Sequence, residues 1–116
     1  MIPGSLDITL YRGDDFALIF RMKDSVSGAY IDLSGRTGRG HIRSSSAAAT
    51  TLDTFAVTVM DQVAVPGGVT IALTPAQTAA LPLEGGVYDI EIANVGRTWV
   101  RTPLAGSVIV LSEVTR

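Results

Sequence analysis

Apolar and polar positions alternate with period two along most of the chain. In residues 6–11, Leu6, Ile8 and Leu10 alternate with Asp7, Thr9 and Tyr11. In residues 16–22, Phe16, Leu18, Phe20 and Met22 share one side. Successive strand side chains point to opposite faces, so both stretches predict half-buried β-strands. Residues 55–60, with Phe55, Val57 and Val59 on one face, and residues 69–73 read the same way. The clearest stretch is 87–93, with Tyr88, Ile90 and Ile92 on one face and Val87, Asp89, Glu91 and Ala93 on the other. Residues 97–104, carrying Trp99, and 107–111 close the series, and Gly106 is expected to break one from the other. Residues 36–43 read as a strand in which Gly38 and Gly40 mark a bulge or a close backbone approach. Residues 30–33 read as a short strand or extended segment.

Turn chemistry separates these stretches. Arg12-Gly13-Asp14-Asp15 joins the first two, either as a hairpin or as a short link that crosses between sheets. Pro66-Gly67-Gly68 and Asn94-Val95-Gly96 are further turns. Ser44–Thr51, made of small residues, reads as a loop. Thr74 can cap a helix and Pro75 suits its first position, so one short helical turn is expected near residues 75–80. About seven to eight strands with regular turn signals predict an all-β fold, an antiparallel two-sheet immunoglobulin-like β-sandwich. A partly open barrel is the alternative. Residues 1–116 are expected to form a single domain with an N-terminal arm at 1–5 and a C-terminal tail at 112–116.

Composition narrows the function. The chain has 116 residues, 47% hydrophobic and 17% charged, with a net charge of −2. Its mean hydropathy is +0.35. That is too apolar for disorder. No apolar run approaches the ~18 residues of a spanning helix. A general polyanion binder would be far more basic. No cysteine and a single histidine leave no thiolate chemistry and no multi-histidine metal cage. The opening Met1-Ile2-Pro3-Gly4 has neither the basic nor the apolar part of a secretory signal. So few charges in so small a domain favour surface that neighbouring subunits cover.

Each candidate for chemistry has a plainer reading. Arg12-Gly13-Asp14 spells an integrin-binding tripeptide but fits a solvated turn with Gly13 at positive φ. The glycines of 35–40 lack the Lys-Ser/Thr of a phosphate loop. Arg39, His41 and Arg43 share a strand face beside Arg36, yet no aromatic interleaves them as nucleic-acid platforms require. A solvated face or an intersubunit ion-pair surface fits them better. Asp14, Asp15 and Asp24 could gather at one end around calcium, but no Asp-x-Asp-x-Asp-Gly loop is present. Asp89 and Glu91 share a face and could pair with Arg97 or Arg101 across a hairpin rather than act as acid and base. His41 could join a serine and an aspartate, though no nucleophile elbow occurs. Trp99 could stack on a sugar, but suits core or interface better.

The order of segments resembles a small structural protein of tailed bacteriophages and prophages. The likeness is carried by Tyr11-Arg12-Gly13-Asp14-Asp15-Phe16, Ile31-Asp32-Leu33-Ser34-Gly35-Arg36-Thr37 and Val69–Thr78. Gly86-Val87-Tyr88-Asp89-Ile90-Glu91, Leu104–Val110 and Glu113-Val114-Thr115-Arg116 complete it. It extends to the immunoglobulin-like modules of baseplate proteins that hold receptor-binding proteins. The Gly38/Gly40 strand departs from the more apolar form usual there.

The resemblance implies a non-enzymatic virion protein, docking in multiple copies on a tail, baseplate or fibre assembly as an adaptor. Its partners would be other virion proteins, including portal-proximal ones, and further copies of itself, with no membrane and no specific nucleic acid. No catalytic residue, cofactor or metal is expected. Expected assembly contacts are Met1, Ile2 and Pro3 in the arm, Ser44, Ser45 and Ser46 in the loop, Trp99, and Val114 and Arg116 in the tail. The alternatives are a head decoration or neck protein, or a carbohydrate- or receptor-binding module using Trp99, Tyr88 or the Asp14/Asp15 turn. A small enzyme built on Asp89, Glu91 and His41 is the remaining one.

Overall fold

A computed structural model describes residues 4–112. Its strands are β1 (Gly4–Ser5), β2 (Ile8–Tyr11), β3 (Phe16–Arg21), β4 (Thr37–Arg43), β5 (Asp53–Val59), β6 (Gly68–Leu73), β7 (Gly86–Ala93) and β8 (Val100–Leu111). Among the described residues the one helix, α1 (Pro75–Ala80), lies between β6 and β7. The chain is therefore all-β, as its alternation predicts.

The strands pair in the order β1-β8-β7-β4-β5-β6-β3, with β2 also on β8. β5 is the corner of this curled sheet. Its first half, Asp53–Phe55, pairs with β4, and Ala56–Val59 pairs with β6. The turn after β2 then carries the chain from one edge of the strand order to β3 at the other edge. Of the two expected routes for that turn, the crossing link is the one taken. Residues 30–33 form no strand, and Tyr30 makes only an isolated bridge to Lys23.

Two expectations need correction. The pairing is not antiparallel throughout, because β1 and β2 both run parallel to β8. They keep one register, from Gly4↔Leu104 to Ile8↔Val108, and so act as a single interrupted edge strand. Part of the expected N-terminal arm is thus built into the sheet. Nor does Gly106 break the last strand, since β8 runs unbroken through it. A Cβ at Gly106 would collide with the Leu6 carbonyl, so the glycine allows this edge to approach. Leu6 N–H donates to the Ala105 carbonyl at 3.0 Å, and Ser107 N–H donates to Asp7 Oδ1 at 3.1 Å.

Inward side chains from both halves of the sheet form one core, including Ile42, Ile90 and Ile92 from β4 and β7 and Val69, Ile71 and Leu73 from β6. An aromatic row crosses it. Phe16 lies 6.3 Å from Phe55, and Phe55 meets Tyr88 edge-on at 5.7 Å. Burying each ring contributes about 1.5–3 kcal/mol. The Tyr88 hydroxyl donates to the Leu6 carbonyl at 2.6 Å, pinning the parallel edge. Burial, and then the charge of Asp7, push its pKa up to about 12. Gly40 makes room for this row, since a Cβ there would lie 2.5 Å from Ile90 Cδ1 and 3.2 Å from Phe55 Cδ2.

α1 is held as its sequence predicts. Thr74 Oγ1 accepts from Gln77 N–H at 3.2 Å, and Gln77 Oε1 accepts from Thr74 N–H at 2.8 Å, a reciprocal cap. The buried Thr78 hydroxyl ties α1 to the β2–β3 turn. It accepts from Gly13 N–H at 3.0 Å and donates to the Asp14 carbonyl at 2.7 Å. Arg12 adds a bond of 2.8 Å to the Ala79 carbonyl.

Candidate functional site

Strand registers bring two groups of candidates together on the outer face of β4 and β7. Arg39 lies opposite Glu91, His41 opposite Asp89, and Arg43 opposite Val87. With Ser44, Ser45 and Ser46 at the strand end and Ala105 on β8, they line an open concavity of about 820 Å³. This is where Asp89, Glu91 and His41 converge.

Its chemistry is that of an ion-paired sheet surface. Glu91 accepts from Arg39 at 2.9 Å and from Arg97 at 2.5 Å. The Arg97 hydrogen bond, with the charges of both arginines, holds the Glu91 carboxyl below the usual carboxylate range against partial burial. A carboxyl shifted that way is anionic at neutral pH and unsuited to donate a proton as a general acid. Among the described residues, no hydrogen bond joins His41 to Asp89 or to Ser44, Ser45 or Ser46. The serines are exposed, and Arg43 is occupied by the carbonyls of Ala48 and Ala49 at 3.2 and 2.9 Å. The expected pairing of this face with Arg97 is present, and Arg39 joins it. Arg101 turns elsewhere.

Trp99 is half-buried and packs against the core. The Arg36 guanidinium lies 4.0 Å from its ring centroid and that of Arg101 4.8 Å. Arg36 is thus outside the Arg39/His41/Arg43 row, and it meets an aromatic from a distant segment. The local sequence around Arg36 holds no aromatic, so only the strand order, which sets β4 beside β7 and its hairpin, reveals the pair. Tyr30 is clasped similarly, 3.5 Å from Arg21 and 5.0 Å from Lys23.

The three aspartates do not gather. Asp14 and Asp15 lie at the α1 end of the strands, and Asp24 lies at the opposite end. The Asp24 carboxylate accepts from Val26 N–H at 2.8 Å and from Ser27 N–H at 3.1 Å, and the Ser27 and Val26 bonds lower its pKa. Among the described residues, no group of three or more His, Asp or Glu is placed to hold a metal. Met1, Ile2, Pro3, Val114 and Arg116 lie outside the described residues.

The other half of the sheet differs. The outward positions of β3, β5 and β6 include Ala17, Ile19, Ala56, Thr58, Thr70 and Ala72, in register with one another. Among the outward positions of these three strands only Arg21, at the end of β3, carries a charge. Ile19 stays 60% exposed, more than any other large apolar side chain within a strand.

Compared with known proteins, the chain matches no protein-family model. No curated protein matches it either. Among the described residues, no helix is long and apolar enough to cross a membrane.

Proposed function

We propose that this chain is a non-enzymatic structural protein of a phage virion, present in multiple copies and docking as an adaptor on a tail, baseplate or fibre assembly. The fold we assign it is immunoglobulin-like, with the β2 edge parallel on the last strand and a helical turn before β7. The observation that carries the reading is the outer face of β3, β5 and β6, whose one charged side chain is Arg21 at the end of β3. The rest, a surface of alanine, threonine and isoleucine, has no charge to desolvate when a protein covers it. The resemblance of the segment order to phage β-sandwich proteins supports the same reading.

The concavity on β4 and β7 supports no rival of equal weight. Its Glu91 carboxylate is spent on two arginines, and its serines lack a base. The carbohydrate reading needs an open indole, whereas two guanidinium groups lie over Trp99. Head decoration or neck placement shares the same surface logic, and the test below separates it from the tail.

The test is to purify tailed particles from the source culture and probe them for the chain by mass spectrometry and immunogold labelling. The reading expects the chain in symmetric copy number on the tail or its tip. Label on the head alone would move the protein to decoration. Absence from particles in cells that express the chain would overturn the virion role.

A further inference from the structure

The strand registers place three loops at one end of the molecule: residues 22–36, 60–67 and 94–99. Each presents a valine almost wholly to solvent, with Val26 96%, Val63 93% and Val95 92% exposed. None is on a loose loop. Asp24 holds the turn at Val26, and Asp61 Oδ1 accepts from Val63 N–H at 3.0 Å. Asn94 Oδ1 accepts from Trp99 N–H at 2.9 Å beneath Val95.

The loops are also tied together. Gln62 Oε1 accepts from Leu33 N–H at 3.0 Å and Gly67 N–H at 2.7 Å, while its amide donates to the carbonyls of Met60 at 2.8 Å and Gly68 at 3.2 Å. The Arg36–Trp99 stack joins the first loop to the third. Three apolar side chains exposed almost fully at one end, each on a turn tied by a side-chain-to-backbone hydrogen bond, are surface that a partner would cover.

Charge is divided between the two ends. Around the valines stand Arg21, Lys23, Arg36, Arg39, Arg97 and Arg101 against Asp24, Asp32, Asp61 and Glu91, the last shared by Arg39 and Arg97. At the α1 end stand Asp14, Asp15, Asp53 and Glu84 against Arg12 and Arg43. One end is therefore basic and the other acidic. The acidic end also exposes apolar side chains, Leu83 at 52%, Leu52 at 37% and Leu111 at 37%.

We propose that the valine end of one copy docks on the α1 end of the next, so that the protein associates head to tail with itself. The inference rests on the reading of the chain as a multi-copy assembly protein, and it names the partner as a second copy. Charge complementarity sets the direction, and the facing valines and leucines supply the contact. Such a contact is heterologous, so it grows into a ring where the rotation closes and into a filament where it does not.

The test is sedimentation velocity over a concentration series up to about 1 mM, the weak end of specific association, at low and high salt. The expected result is a mass that rises with concentration and falls back with added salt. Val63→Asp with Val95→Asp, or Leu83→Arg alone, should hold the protein monomeric at concentrations where the parent associates. These positions are exposed, and circular dichroism melting checks that the fold is retained. A parent chain that stays monomeric throughout, or association that survives both sets of substitutions, overturns the proposal. The particle test above would be unaffected by either result, so the two readings fail separately.

Discussion

The two ends of this molecule are each held by one polar side chain, and they expose opposite surfaces. At the α1 end, the buried Thr78 hydroxyl joins a helix to the β2–β3 turn, closing the strand order where its two edges meet. At the valine end, the half-buried Gln62 amide satisfies four backbone groups across two loops. A buried backbone group without a partner costs about 1–3 kcal/mol. A single side chain that satisfies several therefore fixes a loop which has little core beneath it. The helix end carries excess carboxylates and exposed leucines, and the loop end excess cations and valines. Local rigidity at both ends is what lets surface chemistry become a defined contact.

The largest effect should come from between the ends. Phe55→Ala removes the ring that links Phe16 to Tyr88 and should cost about 3–5 kcal/mol, read as a lower midpoint in urea. Against a usual total of about 5–15 kcal/mol, that loosens both ends together.

Gln62→Ala should cost about 2–3 kcal/mol, with faster amide exchange at Leu33 and Gly67 and little change at Gly13. Thr78→Val should cost about 1–2 kcal/mol, with the pattern reversed and exchange faster at Gly13. Equal effects at both sites for either variant would mean that the ends are not separately held.

Glu91→Gln is the smallest, about 1 kcal/mol or less for an exposed pair. Its sign is fixed by the lowered carboxyl. A depressed folded pKa stabilises above the unfolded value, and that contribution is lost as pH falls through the folded one. The variant should thus approach the parent in stability under acid and fall below it near neutral pH. Acid melts of the two proteins check this.

Much of this fold is legible in the sequence. Period-two alternation places β2, β3, β5, β6 and β7, and Thr74-Pro75 places α1 with its cap. The Asp89 and Glu91 side chains were expected to share a face with arginine partners, and Glu91 has two. What alternation cannot supply is partnership between distant strands. Nothing near Ile8 signals a parallel neighbour at Val108. Gly106 looks like a strand breaker until the Leu6 carbonyl is seen against it. Phe55 sits where β5 leaves β4 for β6, a corner set by tertiary packing. The Arg36–Trp99 stack and the assembly of three valine-tipped loops follow from strand order alone. Asp14 and Asp24 are close in sequence yet end at opposite ends, because β3 runs the length of the sheet between them.

The most direct measurement of the account mixes two capped proteins. One carries Val63→Asp and Val95→Asp and keeps its α1 end, and the other carries Leu83→Arg and keeps its valine end. Each alone should sediment as a monomer. Mixed in equal amounts, they should form a dimer of one copy of each and grow no further, because a single complementary contact remains. A mixture that stays monomeric where the parent associates would contradict the head-to-tail contact.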